Sequence, residues 1–165
     1  MGVERERKFL VPGDEWRAEV VSVHRIRQGF LSRDLERVVR VRVVDDSAGY
    51  LTVKGARRGI CRAEYEYPVP VADAVEMLEQ LCLSGRIDKL RHVCGSEHYQ
   101  LIVDEFGGDH QGLVLAEVEY HGESTEADLP GWLGAEVTGD DRYANAALAA
   151  RPQPASAGTD QGSRP

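Results

Sequence analysis

Glu4, Glu6 and Lys8 stand two residues apart in the run Val3-Glu4-Arg5-Glu6-Arg7-Lys8-Phe9, so on an extended chain they share one face. Two carboxylates beside an ammonium bind ions or pair with one another; they do not pack in an apolar core. Arg5, Arg7 and Phe9 point the other way, so this strand has no purely apolar side. For a single segment the plainer reading is an edge strand kept soluble by its charges.

The pattern recurs. Arg40 and Arg42 alternate with valines, Thr52 and Lys54 with Leu51 and Val53, and Arg62, Glu64 and Glu66 with Tyr65 and Tyr67. Lys89 and Arg91 flank Leu90, Asp104 stands in Val103-Asp104-Glu105-Phe106, and Glu117 and Glu119 are two apart. The acids Glu4, Glu6, Glu64, Glu66, Asp104, Glu117 and Glu119 nearly balance the bases Lys8, Arg40, Arg42, Lys54, Arg62, Lys89 and Arg91. If that face lined the inside of a barrel, the charges would have to pair or hold ligands. The other face, with Phe9, Val39, Val41, Val43, Leu51, Val53, Tyr65 and Val118, is apolar enough to lie under helices. The expectation is an inside-out barrel. Its bases match phosphate oxygens, and its carboxylates match Mg2+ or Mn2+, which take oxygen ligands together with substrate phosphates.

The elements that position these residues are legible from apolar periodicity and turn residues. Strands are expected over residues 1–11, 23–31 (interrupted at Gly29), 38–44, 50–54, 61–69, 86–94, 97–106 and 113–121. The turn Asp45-Asp46-Ser47-Ala48-Gly49 makes a hairpin. Short helices are expected at Glu15–Val20 and Thr125–Leu129, a convincing amphipathic helix at Val71–Leu83 ended by Gly85, and a closing helix at Asp140–Ala149. The fold class is therefore mainly β, an eight-stranded antiparallel closed barrel with a charged lumen and a few flanking helices. Residues 1–149 form one domain, and the Pro/Gly/Ser/Ala-rich stretch 150–165 reads as a disordered tail.

Composition bounds the function. The chain has 165 residues, 42% hydrophobic and 29% charged, ordinary for one soluble domain. A net charge of -8 argues against nucleic acid as a partner. No apolar run reaches membrane-span length, and charge from Glu4 onward reads against a secretory signal, so a cytoplasmic location is the expectation. Cys61, Cys82 and Cys94 have neither zinc nor disulfide spacing and read as buried or partly buried thiols. The five histidines read as surface or turn residues, Tyr50, Tyr65, Tyr67 and Trp132 as packing residues, and Arg57-Arg58 as a solvated loop that steers anions if it lies near a tunnel mouth.

The run Glu4-x-Glu6-x-Lys8 resembles the signature of the CYTH family, the triphosphate tunnel metalloenzymes. Gln28-Gly29-Phe30-Leu31, Val39 to Arg42, Leu51 to Gly55, Glu64-Tyr65-Glu66, Asp88 to Arg91, Val103 to Phe106, Gly112 to Glu119 and Trp132 to Thr138 resemble successive family blocks, in order over residues 1 to about 149. The resemblance implies metal-dependent hydrolysis of a triphosphate, with inorganic tripolyphosphate preferred. It implies metal ligation by Glu4, Glu6 and Glu119, with Asp104 and Glu117 assisting, and a phosphate grip by Lys8, Arg40, Arg42, Lys54, Arg62, Lys89 and Arg91. Glu6, Lys8 and Lys89 would be catalytic, with Glu64 and Glu66 supporting. Phe30 stands where many relatives have tyrosine, which puts a proton-transfer role there in doubt, and Leu101 replaces a common tryptophan.

Two further readings stay open at this point: an adenylyl cyclase, which the same family contains, and a non-catalytic polyphosphate or nucleotide sensor. The plainer alternative for Glu64 and Glu66 is a self-neutralising ion-pair network. Nucleoside and thiamine triphosphates are further substrate candidates, and the sequence leaves a homodimer open.

Overall fold

The computed structural model describes residues 2–96, 99–121 and 128–151. The strands β1 (Gly2–Leu10), β2 (Val20–Ser32), β3 (Arg37–Val44), β4 (Ala48–Gly55), β5 (Cys61–Val69), β6 (Ile87–Cys94), β7 (Tyr99–Phe106) and β8 (Val114–Tyr120) form a closed antiparallel barrel, ordered β1-β5-β4-β3-β2-β6-β7-β8. In that ring β1 lies four places from β2, so Glu4, Glu6 and Lys8 look across the lumen at β2, flanked by β3 and β6.

Register puts the ionic residues level with one another. Glu6 pairs with Glu119 and Lys8 with Glu117; Arg40 pairs with Thr52, Thr52 with Glu66, Lys54 with Glu64 and Arg91 with Asp104. The β3–β4 turn fixes part of this register. Asp45 and Asp46 have φ of 51° and 54°, and the Ser47 N–H donates to Val44 O at 3.0 Å, a type I′ turn that matches strand twist.

Among the described residues three apolar clusters hold the barrel. Outside, helix α1 (Val71–Gln80) lays Ala74 and Leu78 on Val41 and Val43. Two strand glycines let it approach: a Cβ on Gly49 would lie 2.8 Å from Ala74 Cβ, and one on Gly29 2.8 Å from Cys82 Sγ. Gly29 is therefore a packing site rather than the expected interruption, and β2 runs through it. The helix also stops before Leu83. Leu81 and Cys82 both donate to Met77 O (3.1 and 3.0 Å) and the Leu83 N–H is taken by Phe30 O (2.8 Å), which draws the chain back to β2 before Gly85.

On the opposite flank Trp16 is fully buried against Phe9, Leu101, Val103, Ala116 and Val118. It is carried by a 3-10 helix, Glu15–Glu19, where a short helix was expected. The third cluster lies inside the barrel, at one end of the charged lumen. Phe30, Val38, Ile87, Phe106 and Leu115 continue the inward period of Gln28, Arg40, Lys89, Asp104 and Glu117, and plug one end. Helix α2 (Asn145–Ala150) seals this plug with Ala146 and Ala149. The expected closing helix is split, because Ala144 is extended between α2 and a 3-10 turn at Asp141–Tyr143.

Past Arg5, β5 leaves β1, and a C-terminal strap takes over its backbone groups. Val137 donates to Lys8 O (2.8 Å), Leu10 to Ala135 O (2.9 Å) and Gly134 to Leu10 O (2.8 Å), while Thr138 Oγ1 accepts from the Lys8 N–H (2.9 Å). The strap thus fixes the strand that carries Lys8. Among the described residues no helix is long and apolar enough to cross a membrane, and Cys61, Cys82 and Cys94 are free thiols. The helix expected at Thr125–Leu129 falls mostly outside the described residues, as do the tail beyond Arg151 and His98; Asp128 and Leu129 are not helical.

Candidate functional site in the barrel lumen

The inward charges open onto one cavity of about 800 Å³, lined among others by Glu4, Glu6, Arg40, Arg42, Lys54, Glu64, Glu66, Arg91, Glu117 and Glu119. The ring order sorts them by sign. Strands β5, β1 and β8 are neighbours and carry Glu64, Glu66, Glu4, Glu6, Glu117 and Glu119, with Lys8 of β1 set among them and paired with Glu117. The wall across from them, β3, β2 and β6, carries Arg40, Arg42, Lys89 and Arg91. A polarised tunnel results.

Ion pairs fill it. Arg40 and Arg42 reach Glu66 (3.3 and 2.8 Å), and Thr52 donates to Glu66 at 2.7 Å. Lys54 lies 2.6 Å from Glu4 and 3.2 Å from Glu64. Lys8 lies 3.0 Å from Glu117 Oε1, and Arg91 Nη2 2.9 Å from Glu117 Oε2. The attraction of Lys8 and Arg91 overcomes burial and holds Glu117 well below the usual carboxylate range. Burial opposes the Lys8 charge, yet Glu117 and Glu6 keep its pKa above the ordinary lysine value.

Both Asp104 oxygens are occupied. Arg91 donates Nε to Oδ1 (2.8 Å) and Nη2 to Oδ2 (2.7 Å), and Lys89 donates to Oδ2 at 2.5 Å. Lys89 is 4% exposed, and burial outweighs Asp104 and pulls its pKa down to about 8. Glu119 is the opposite case. It lines the cavity without an ion pair among the described residues, and burial, then the charges of Glu4, Glu64 and Glu6, raises its pKa.

The geometry separates the predicted site residues. Among the described residues Glu4, Lys54, Glu64, Arg40, Glu66 and Arg42 join one ionic network, Lys8, Glu117, Arg91, Asp104 and Lys89 a second, and Glu6 pairs with Arg57, with Glu119 beside them. Arg62 stands apart: its guanidinium donates to Gly55 O (2.8 and 3.1 Å) and it does not line the cavity. Sequence reasoning assigned Arg57 to a solvated loop, but its Nη2 donates to Glu6 Oε1. No period marks a loop residue, so no local signal could have found it.

Other expectations need correction. His92 and His110 are buried, His92 edge-on against Trp16 at 4.7 Å between ring centres. His24 lines the cavity, with Nδ1 2.7 Å from Asp45 Oδ2 and Nε2 3.2 Å from Ser22 Oγ. Tyr65 and Tyr67, read as packing residues, are exposed, and Tyr50 has the Arg42 guanidinium 5.1 Å from its ring centre.

The lumen has unspent capacity of both signs. Glu4 Oε2 is buried without a hydrogen-bond partner, and so are Arg40 Nε and Arg42 Nε on the far wall. Among the described residues no three His, Cys, Asp or Glu side chains are gathered as a metal site as they stand. Lys54 and Arg57 are seated on Glu4 and Glu6 instead. The donors still fit a hard divalent cation: they are carboxylate oxygens, one is orphaned, and Glu119 stands among like charges that a cation would neutralise.

Comparison with known proteins gives concordant results. The CYTH domain family model matches residues 2–145. An inorganic triphosphatase of Acetivibrio thermocellus is 47% identical over 152 residues, 92% of this chain and 96% of that protein. One from Nitrosomonas europaea is 34% identical over 152 residues, covering 88% and 96%. A solved inorganic triphosphatase structure superposes with a TM-score of 0.61 at 32% identity, over 92% of this chain and 100% of that one. A Pyrococcus horikoshii structure, with a TM-score of 0.60 at 15% identity over 73% and 80%, shares the fold.

Proposed function

The chain belongs to the CYTH domain family, and from that premise we propose that it is a hydrolase that cleaves a terminal phosphoanhydride bond of inorganic tripolyphosphate inside the barrel, with a divalent cation, Mg2+ or Mn2+. The observation that carries this reading is the sorting of charge onto two walls. A self-neutralising network gains nothing from sorted signs, whereas a polyanion and its cation need an arginine-lined wall and a carboxylate wall on either side of them.

On the basic wall Arg40, Arg42, Lys89 and Arg91 hold the non-bridging oxygens, with the free Nε groups of Arg40 and Arg42 as ready donors. Asp104 fixes Lys89 and Arg91 in place, and Glu66 does the same for Arg40 and Arg42. Lys8, held by Glu117 and by the strap behind β1, presents an ammonium to charge that develops on the transferring phosphoryl group. Glu4, Glu6 and Glu119 would hold the cation, which when bound would neutralise phosphate charge and activate water for attack.

The test is to incubate the purified protein with tripolyphosphate, ATP or thiamine triphosphate, each with Mg2+ or Mn2+, and to resolve the products. Orthophosphate and pyrophosphate from tripolyphosphate, dependent on the cation, are expected. Cyclic AMP from ATP would replace this reading with a cyclase, and binding without turnover would replace it with a sensor.

A further inference from the structure

Among the described residues Arg57 is the cation in contact with the tunnel acids that a loop, rather than a strand, carries. It follows Gly55 and precedes Gly59, which has φ +62° and open space around it, and the turn closes where Arg58 pairs with Cys61. Its guanidinium reaches Glu6 from a second, water-sized cavity of about 30 Å³ that also borders Lys8, Thr138 and Asp141. Glu6 therefore stands between two spaces: one face lines the main cavity and the other meets Arg57.

Lys54 and Arg57 occupy the two carboxylates of β1, but they are not equivalent. Lys54 is rooted in β4 and keeps Glu64 at 3.2 Å if Glu4 is withdrawn. Among the described residues Arg57 has no carboxylate partner besides Glu6. The pull of Glu6 and then Glu4 and Glu117 outweighs its burial and keeps it firmly charged. Once Glu6 turns to another cation, a partly buried guanidinium is left uncompensated beside the incoming polyanion, the setting in which an arginine binds phosphate most strongly.

We propose that Arg57 is an exchangeable counter-cation: it holds Glu6 in the empty tunnel, yields it to the divalent cation, and transfers to an oxygen of the bound triphosphate. This rests on the metal and triphosphate reading above and adds a substrate-binding residue to it. Arg57 thereby couples the two ligands, since the cation frees the arginine that grips the anion.

Titration calorimetry with Mn2+ alone on the full chain, on Arg57→Ala and on Arg57→Lys measures the first half; the KM for tripolyphosphate at saturating Mn2+ measures the second. Removing the competitor is expected to tighten Mn2+ binding about five- to tenfold. Removing a phosphate contact raises KM by about tenfold with kcat little changed. Arg57→Lys falls between on both. Unchanged or weaker Mn2+ binding in Arg57→Ala, with the wild type binding normally, overturns the exchange while leaving the functional reading standing. An unchanged KM overturns the transfer to substrate. Absence of Mn2+ binding in all three proteins removes the metal from Glu6 and overturns this inference and the metal site together.

Discussion

Arg91 grips Asp104 with two parallel donors, Nε to Oδ1 at 2.8 Å and Nη2 to Oδ2 at 2.7 Å, on a carboxylate that is 1% exposed. Lys89 donates to Oδ2 as well, so three donors from two cations converge on this acid. On the proposed reading, Asp104 holds two cations in register on the basic wall. Asp104→Asn removes the charge that keeps both in place, and breaking a buried pair from one side costs about 3–5 kcal/mol. Urea unfolding of the metal-free protein is expected to show that loss at unchanged m-value. Unaltered metal-free stability would mean that Asp104 is a ligand rather than an anchor.

Lys89 sets an alkaline limit. Its folded pKa of about 8 lies below the ordinary 10.5, so between these values the unfolded chain keeps a proton that the folded chain has released. Its contribution to stability therefore rises with pH across that window, while its grip on an anion is lost. The profile of kcat/KM for tripolyphosphate is expected to fall above pH about 8 without a parallel fall in Tm. A limb that begins only near the pKa of free lysine would contradict this.

Glu119 has a raised pKa and so works with the opposite sign. An acid whose folded value exceeds its unfolded one contributes stability at low pH and loses it as pH rises through the folded value. When ionised, it strains the empty acidic wall through repulsion from Glu4, Glu64 and Glu6. Glu119→Gln is expected to raise the Tm of the metal-free protein by about 2–4 °C at pH 7, with the gain vanishing below pH about 4. The same variant should bind Mn2+ more weakly. A lower Tm at pH 7 would place a cationic partner on Glu119.

Phe30 is 2% exposed among Val38, Ile87, Phe106 and Leu115 in the lumen plug. Phe30→Tyr puts a hydroxyl among apolar side chains at a cost of about 1–3 kcal/mol. A lower unfolding midpoint is expected, with kcat within about threefold, since no step above uses that position. A large gain in kcat without loss of stability would show that the phenol finds a proton-transfer role.

The charged strands were readable because alternation within a strand shows which residues share a face before its pairing partner is known. Glu4 and Glu6, Arg40 and Arg42, and Lys89 and Arg91 each declared a face before any partner was known. The sorting of charge was not readable, because it depends on β5, β1 and β8 being neighbours in a ring the chain visits out of order. The plug was hidden for a related reason: Val38, Ile87 and Leu115 share the inward period of the ionic residues, but that they meet at one end of the lumen depends on the closed barrel. Loop and strap residues such as Arg57 and Thr138 have no period, and act through contacts with β1 that only the closed fold creates.

The most direct test is an anomalous difference map from crystals grown with Mn2+ and a non-hydrolysable imido analogue of tripolyphosphate. The account predicts a manganese peak on Glu4, Glu6 and Glu119, with the anion between it and Arg40, Arg42, Lys89 and Arg91. A lumen whose ion pairs persist unopened, with manganese and anion bound elsewhere or not at all, would contradict it.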